Sequence, residues 1–336
     1  MLRKVLALAA FVGVCAASAS ATTLESVKAE GAVRCGVNSA LPGFGLQDEA
    51  GNWSGFDVDY CRAIAAAIFG DPGKVEFVST TASDRFRQLQ SGAVDVLVRN
   101  TTWTMSRDTS LNLAFAGVNF YDGQAFMVRR SLGVTSALEL SKASICVQGE
   151  TTTELNLADY FQARGMQYTP VSRPTMEEAS AAYALEQCTA YSADATALYA
   201  IRLTLANPQD HIVLPQIISK EPLGPTVRQG DEQWLNIVKW THFALLNAEE
   251  YGVTSANVDQ MRNSTNANIR RLLGVEGEFG KALGLSEDWA YNAIKHVGNY
   301  AEIFDRNLGS GSPLGIPRGL NALWIDGGLQ YAPPVR

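Results

Sequence analysis

Ala32-Val33-Arg34-Cys35-Gly36-Val37 and Gly55-Phe56-Asp57-Val58-Asp59-Tyr60-Cys61 are the stretches whose reading decides the fold. In the first, Val33, Cys35 and Val37 fall on one face with the period of two that marks a strand. In the second, Asp57 is placed to cap free N–H groups. Val58, Cys61, Ala65 and Ile68 then recur along one helical stripe, and Gly70 ends the helix. Outward from there the alternation continues, with a strand over 75–78, a helix over 83–91 and a strand over 94–98. Strands separated by helices pair in parallel, so this β-α-β-α-β order predicts an α/β sheet.

A second series of the same kind follows. Strands are expected over 124–128, 145–148, 189–192 and 212–218, and helices over 151–164, 177–185 and 195–205. Thr151-x-x-Glu154 has the form of a capping box. Beyond Pro222-Leu223-Gly224-Pro225 the chain becomes mostly helical, with Trp234, Ile237, Val238, Thr241 and Leu245 on a common face. The Gly- and Pro-rich tail from 309 to 336 is expected to wrap a surface.

Composition narrows what such a fold can do. With 336 residues, 46% of them apolar, the chain is long enough for two domains with a sizeable core. Its 34 acidic residues outnumber 27 basic ones, and no basic run occurs, which argues against nucleic acid as a partner. Only 3 histidines are present, so a His-built metal site is not expected. There is no Walker loop, G-x-S-x-G elbow or H-E-x-x-H motif, and the glycine pairs at 43/45 and 309/311 lack dinucleotide spacing. No cofactor is implied.

The first 21 residues read as a secretory signal peptide. Arg3 and Lys4 precede an apolar run over 5–17, and Ala19-Ser20-Ala21 offers a small-residue cleavage site. A lipid anchor would use Cys15, but Val14 stands where lipoprotein signals place a small residue. Without the leader, Cys35, Cys61, Cys146 and Cys188 remain. An even number in an oxidising compartment suggests two disulfides, with three connectivities open. None lies in a C-x-x-C pair, which weakens zinc and thioredoxin-like readings.

Three polar spots follow strands, where open α/β sheets bind ligands. The first, Arg99-Asn100-Thr101-Thr102-Trp103-Thr104-Met105-Ser106-Arg107, brings hydroxyls, an amide and a guanidinium suited to a small carboxylate. The second, Gly149-Glu150-Thr151-Thr152-Thr153, opens a helix whose N–H groups can receive an anion. The third is Asp194, a partner for a cation. Each also has a plain structural reading: a polar loop, ordinary helix capping, and an N-cap. Together, an anion site and a carboxylate on adjoining domains suit a zwitterion.

These stretches also resemble a known family. Gly55-Phe56-Asp57-Val58-Asp59, Arg99 through Thr104, Ser106-Arg107-Asp108-Thr109 and Phe120-Tyr121-Asp122-Gly123-Gln124 match the periplasmic amino-acid-binding proteins of ABC importers. So do Thr151 through Asn156, Lys239 through Glu250, and Arg318 through Trp324. The family is solute-binding family 3, and the branch is the one that binds L-amino acids generally. The resemblance implies a type II periplasmic binding protein, two lobes joined by a hinge of two crossing segments. Lobe one would comprise 22–121 and 222–336, and lobe two 124–218. By position in the motif, Arg107 would grip the ligand α-carboxylate, with Thr102 and Asn100 beside it. Thr152 would contribute from lobe two, and Asp194 would bind the α-ammonium. Asn38, Leu41 and Phe44 would line the side-chain pocket. The family pattern also pairs Cys35 with Cys61 and Cys146 with Cys188. The implied partners are free L-amino acids and an inner-membrane permease, for a periplasmic, monomeric protein that is not an enzyme.

Two departures from the family pattern stand out: Glu150 where relatives have glycine, and Thr189 where they often have aspartate. Glu150 is expected to put a negative charge near the carboxylate site and to forgo glycine's freedom at positive φ. The competing functions on this fold are a cyclohexadienyl dehydratase, disfavoured by the missing acid/base signature, and a ligand sensor.

Overall fold

The computed structural model describes residues 21–336. The leader assigned to 1–21, and Cys15 within it, therefore lies outside the described residues except for Ala21. Two five-stranded sheets organise the rest. The first runs in the order Val75–Ser79, Val33–Val37, Val96–Leu97, Thr226–Arg228, Leu113–Phe115. The second runs Thr169–Arg173, Ser144–Gln148, Ala190–Asp194, Gln124–Arg129, His211–Val213. In each, the first three strands are parallel, as the helix-separated order requires. The fourth strand is antiparallel to both neighbours. That strand is the one the chain enters directly on crossing from the other sheet, with no helix to reverse its direction.

The two crossings are themselves paired. Phe120–Asp122 and Glu221–Leu223 form a two-stranded antiparallel ribbon, in which Glu221 faces Asp122 and Leu223 faces Phe120. The tail braces this ribbon from outside. Asn321 accepts the Tyr121 N–H at 2.7 Å and donates to its carbonyl at 3.0 Å, while Gln330 donates to the Asn119 carbonyl. The expected wrapping is thus anchored on the connection between the sheets.

Helix Phe56–Phe69 packs on the first sheet and ends at Gly70, which is left-handed as expected. Its start differs from expectation. Gly55 is the N-cap, at φ 134°, and no side chain caps the helix. A Cβ at Gly55 would stand 2.1 Å from the Phe44 carbonyl oxygen, so only glycine fits this close approach. Asp57 is instead buried and accepts the Asn100 N–H at 2.8 Å. Helix Thr152–Ala163 has half of its expected capping box: Thr151 Oγ1 accepts the Glu154 N–H, but the Glu154 carboxylate takes the Glu150 N–H and the Ser172 hydroxyl. Helix Glu232–Glu250 buries Trp234, Ile237, Val238, Thr241 and Leu245, and the Trp234 indole donates to the Asp95 carbonyl. The strand expected over 212–218 is only His211–Val213, because beyond it the chain leaves the sheet edge for the crossing.

Both expected disulfides are present. Cys35–Cys61 ties the first strand to the helix that follows it, and Cys146–Cys188 ties two neighbouring segments of the second sheet. No described helix is long and apolar enough to cross a membrane.

Candidate functional site

The carboxyl ends of the parallel strands of both sheets face a common cleft, and the three polar spots are brought there. After Val96–Leu97, the Arg99 Nε donates to the Thr80 carbonyl at 2.9 Å. Asn100 adopts φ 32°. Asparagine tolerates this left-handed region better than most residues, and its N–H anchor on Asp57 holds it there. Thr102 pairs with Leu223 of the crossing, and its hydroxyl donates to the Glu221 carboxylate at 2.6 Å. Arg107, on the short helix Met105–Thr109, donates from Nη1 to the Thr102 carbonyl at 2.7 Å. Its guanidinium lies 5.0 Å over the Phe86 ring. From the second sheet, the Thr152 hydroxyl reaches the same Glu221 carboxylate at 3.0 Å. Asp194 ends its strand at the N-cap of helix Ala195–Thr204, yet its side chain caps nothing. Its Oδ1 is buried without a hydrogen-bond partner. The N-cap explanation for this aspartate therefore fails.

A cavity of about 40 Å³ lies between these elements. Asn100, Thr102, Thr152 and Asp194 line it, together with Arg85, Arg99, Gln148, Met176 and Tyr191. Burial pushes the Asp194 carboxyl well above the usual carboxylate range; Asp122 and Glu221 add to this, and Arg85 and Arg107 oppose it. Burial also lowers Arg99 and Arg107 to about 10, and lowers Arg85 well below its ordinary value. At neutral pH the guanidiniums remain charged, and the direction measures how costly each is without a counter-charge. Among the described residues, no carboxylate lies within ion-pair distance of any of the three. Buried charges in that condition are held at a cost.

Arg107 itself does not line the cavity; it stands behind Thr102, near enough for Asp194 and Glu221 to act on it. Asn38, Leu41 and Phe44 are not among the lining residues. Ala40–Leu41, Gly45–Gln47 and Trp53–Ser54 pair as a small antiparallel sheet that turns Leu41 and Phe44 inward. There Phe44 packs edge-on against Phe56 and Phe120. Asn38 accepts the Ala40 N–H and so closes its own turn. Glu150 also departs from expectation. Its side chain is exposed, at φ 58°, beside a separate surface hollow formed with Ser83, Glu154, Ser172 and Arg173.

Two site groups escaped the sequence reading. Glu221, 1% exposed, collects Thr102, Thr152, Asn156 at 2.6 Å and Ser219 at 2.7 Å, joining both sheets to the crossing. A lone acid beside Pro222-Leu223-Gly224-Pro225 was its only sequence signal. Arg85 sits on helix Arg85–Gln90, where nothing in the spacing separates it from a surface arginine.

Comparison with known proteins adds independent findings. Residues 33–257 match the model for bacterial extracellular solute-binding proteins, family 3. The chain is 61% identical over 330 residues to the general L-amino acid-binding periplasmic protein AapJ of Rhizobium johnstonii, covering 98% of this chain and 97% of that one. It is 54% identical over 331 residues to the glutamate/glutamine/aspartate/asparagine-binding protein BztA of Rhodobacter capsulatus, covering 98% and 97%. Among solved structures, an ABC transporter periplasmic binding protein from Brucella ovis with glutathione bound superposes with a TM-score of 0.93 at 61% identity. That match covers 94% of this chain and all of the other. These relatives are named as binding proteins, not enzymes.

Proposed function

Because the chain belongs to the bacterial extracellular solute-binding proteins of family 3, we propose that it captures L-amino acids between two lobes and hands them to an inner-membrane ABC permease. The fold is that of type II periplasmic binding proteins, and the dehydratase alternative is not favoured. Lobe one is 22–121 with 222–336, lobe two is 124–218, and the paired crossings are the hinge. The leader directs export and is then removed, and the mature protein works as a monomer.

One observation carries this reading: a buried Asp194 carboxylate oxygen without a partner, in a cavity shared with unpaired guanidiniums. Asp194 receives the α-ammonium. Arg107, from behind Thr102, supplies the charge for the α-carboxylate, while the Thr102 and Thr152 hydroxyls and Asn100 complete its shell. Closing the lobes removes water, so each charge of the zwitterion then meets its partner in a medium where the attraction is strong. Ligand binding favours the closed arrangement because only there are both partners in reach.

Calorimetry across the amino acids tests the reading, with several binders of different side chain expected. Arg107→Ala should lose about a hundred- to a few-thousand-fold in affinity, the ~3–5 kcal/mol of breaking a buried charge pair. Near-normal affinity in Arg107→Ala would remove that residue from the site. A second reading rests on the glutathione held by the Brucella ovis protein: the same cavity accepts a γ-glutamyl peptide. Glutathione in the same calorimetric series decides it.

A further inference from the structure

Building on the reading of the cavity as an amino-acid site, we propose that Arg85 reads a second carboxylate on the ligand. The preferred ligands are then molecules with two carboxylates and one ammonium group. The charged side chains lining the cavity are Arg85, Arg99 and Asp194, two cations and one anion. Their complement is one cation and two anions, the pattern of an acidic amino acid and equally of glutathione. With the α-carboxylate assigned to Arg107, and Arg99 already under the charges of Asp57, Asp84 and Glu177, a neutral amino acid leaves Arg85 without a counter-charge.

The three buried arginines are not equivalent. Arg99 is fastened through Nε to the Thr80 carbonyl, and Asp57, Asp84 and Glu177 all act on it. Arg107 is fastened to the Thr102 carbonyl and feels Glu221 and Asp194. Arg85 is 3% exposed, and its hydrogen bond is a long one, 3.5 Å from Nη1 to the Arg99 carbonyl. Its Nε is buried with no partner at all. Two like charges, Arg99 and Arg107, act on it against the single opposing charge of Asp194. The Phe86 ring, 4.8 Å away, supplies a stacking face but no counter-ion. The other named lining groups, Asn100, Gln148, the threonines, Met176 and Tyr191, are neutral. Within the cavity, then, Arg85 has most of its fork free, and a carboxylate arriving there is taken by parallel N–H donors.

The experiment is calorimetry on the full mature chain and on Arg85→Gln and Arg85→Lys, using L-glutamate, L-glutamine, L-alanine and glutathione. Wild type should bind glutamate at least about tenfold more tightly than glutamine, the discrimination of one charged hydrogen-bonded pair. Arg85→Gln should weaken glutamate and glutathione at least about tenfold while moving glutamine and alanine less than about threefold. Arg85→Lys should keep part of the preference, since it retains charge without the fork. Because the readout is a ratio of ligands within one variant, a general loss of fold cannot imitate it. If Arg85→Gln does not melt cooperatively, the narrowed ratio in Arg85→Lys decides. Equal losses for all four ligands, an unchanged ratio, or a wild-type preference for glutamine over glutamate each overturn the role of Arg85 and leave amino-acid capture standing. Failure of wild type to bind any of the four overturns both.

Discussion

Replacing Asp194 with asparagine should weaken ligand binding and, at the same time, make the ligand-free protein harder to melt. Asp194 is 9% exposed, one of its oxygens has no partner, and burial with Asp122 and Glu221 drives its pKa up against the pull of Arg85 and Arg107. A carboxyl raised in this way binds its proton more readily folded than unfolded. Its penalty is therefore absent below the unfolded value of about 3.9 and grows as pH rises toward the folded value. Asparagine has nearly the same volume and no charge, so the penalty disappears. With two guanidiniums partly compensating, the gain is on the order of 2 kcal/mol at neutral pH. At about 2.1 cal/mol/K of unfolding entropy per residue, that is a rise of about 3 °C in Tm. Binding moves the other way. The α-ammonium loses its counter-charge in a closed cavity, a cost of ~3–5 kcal/mol, or about a hundred- to a few-thousand-fold in Kd. Scanning calorimetry of the ligand-free protein at pH 7.5 and pH 4.5 reads the first effect, whose size should shrink at the lower pH. Titration calorimetry reads the second. A lowered Tm together with near-normal affinity would show that Asp194 supports the fold and does not hold ligand.

Asp57, pushed up to about 7 by burial, should act mainly on stability, since asparagine keeps an oxygen to accept the Asn100 N–H. Asp57→Asn should raise Tm at pH 8 by the equivalent of up to ~4 kcal/mol and do little at pH 4, as thermal melts across pH will show. Glu221→Gln cannot accept all four hydrogen bonds that now converge on the carboxylate. The loss of ~1.5–3 kcal/mol per charged bond should open the lobes, seen as a larger radius in small-angle scattering and a Kd raised about 10- to 100-fold. Glu150→Gly relieves a non-glycine residue at φ 58° and should stabilise by ~0.5–1 kcal/mol in denaturant unfolding. Ligand affinity in Glu150→Gly should stay within about twofold by calorimetry, since the charge that is removed faces outward. Cysteine-to-serine pairs at 35/61 and 146/188, with separations of 26 and 42 residues, should cost about 3.5 and 4 kcal/mol of unfolding free energy on the chain-entropy account.

Much of this architecture is written locally. The alternating valines of 33–37, the stripe of helix Phe56–Phe69 and its Gly70 stop, and the buried face of helix Glu232–Glu250 are each encoded within a few turns of chain. Periodicity and caps reach that far, and the order of elements then makes the helix-separated strands parallel. The polar clusters at 99–107 and 149–153 and at Asp194 are legible for the same reason, because they follow recognisable strands. The disulfide pairing is not legible from spacing; it came with the family likeness.

What local pattern cannot encode is which segment covers which charge. Phe44 and Leu41 look like pocket residues until the hairpin they belong to turns them into an aromatic core. Glu150 looks like a charge beside the ligand until its backbone aims it at solvent. Asp57 looks like a cap until Gly55 takes that place and the carboxylate is left to anchor a loop 43 residues on. Arg85 and Glu221 are unremarked in the chain, yet burial by distant elements makes one a guanidinium short of an anion and the other a junction for both sheets. The sequence alone determined the strands, the helices and their order. The tertiary structure decided which charges are left without water and without partners, because desolvation depends on every segment that closes over a group and not on its neighbours in sequence.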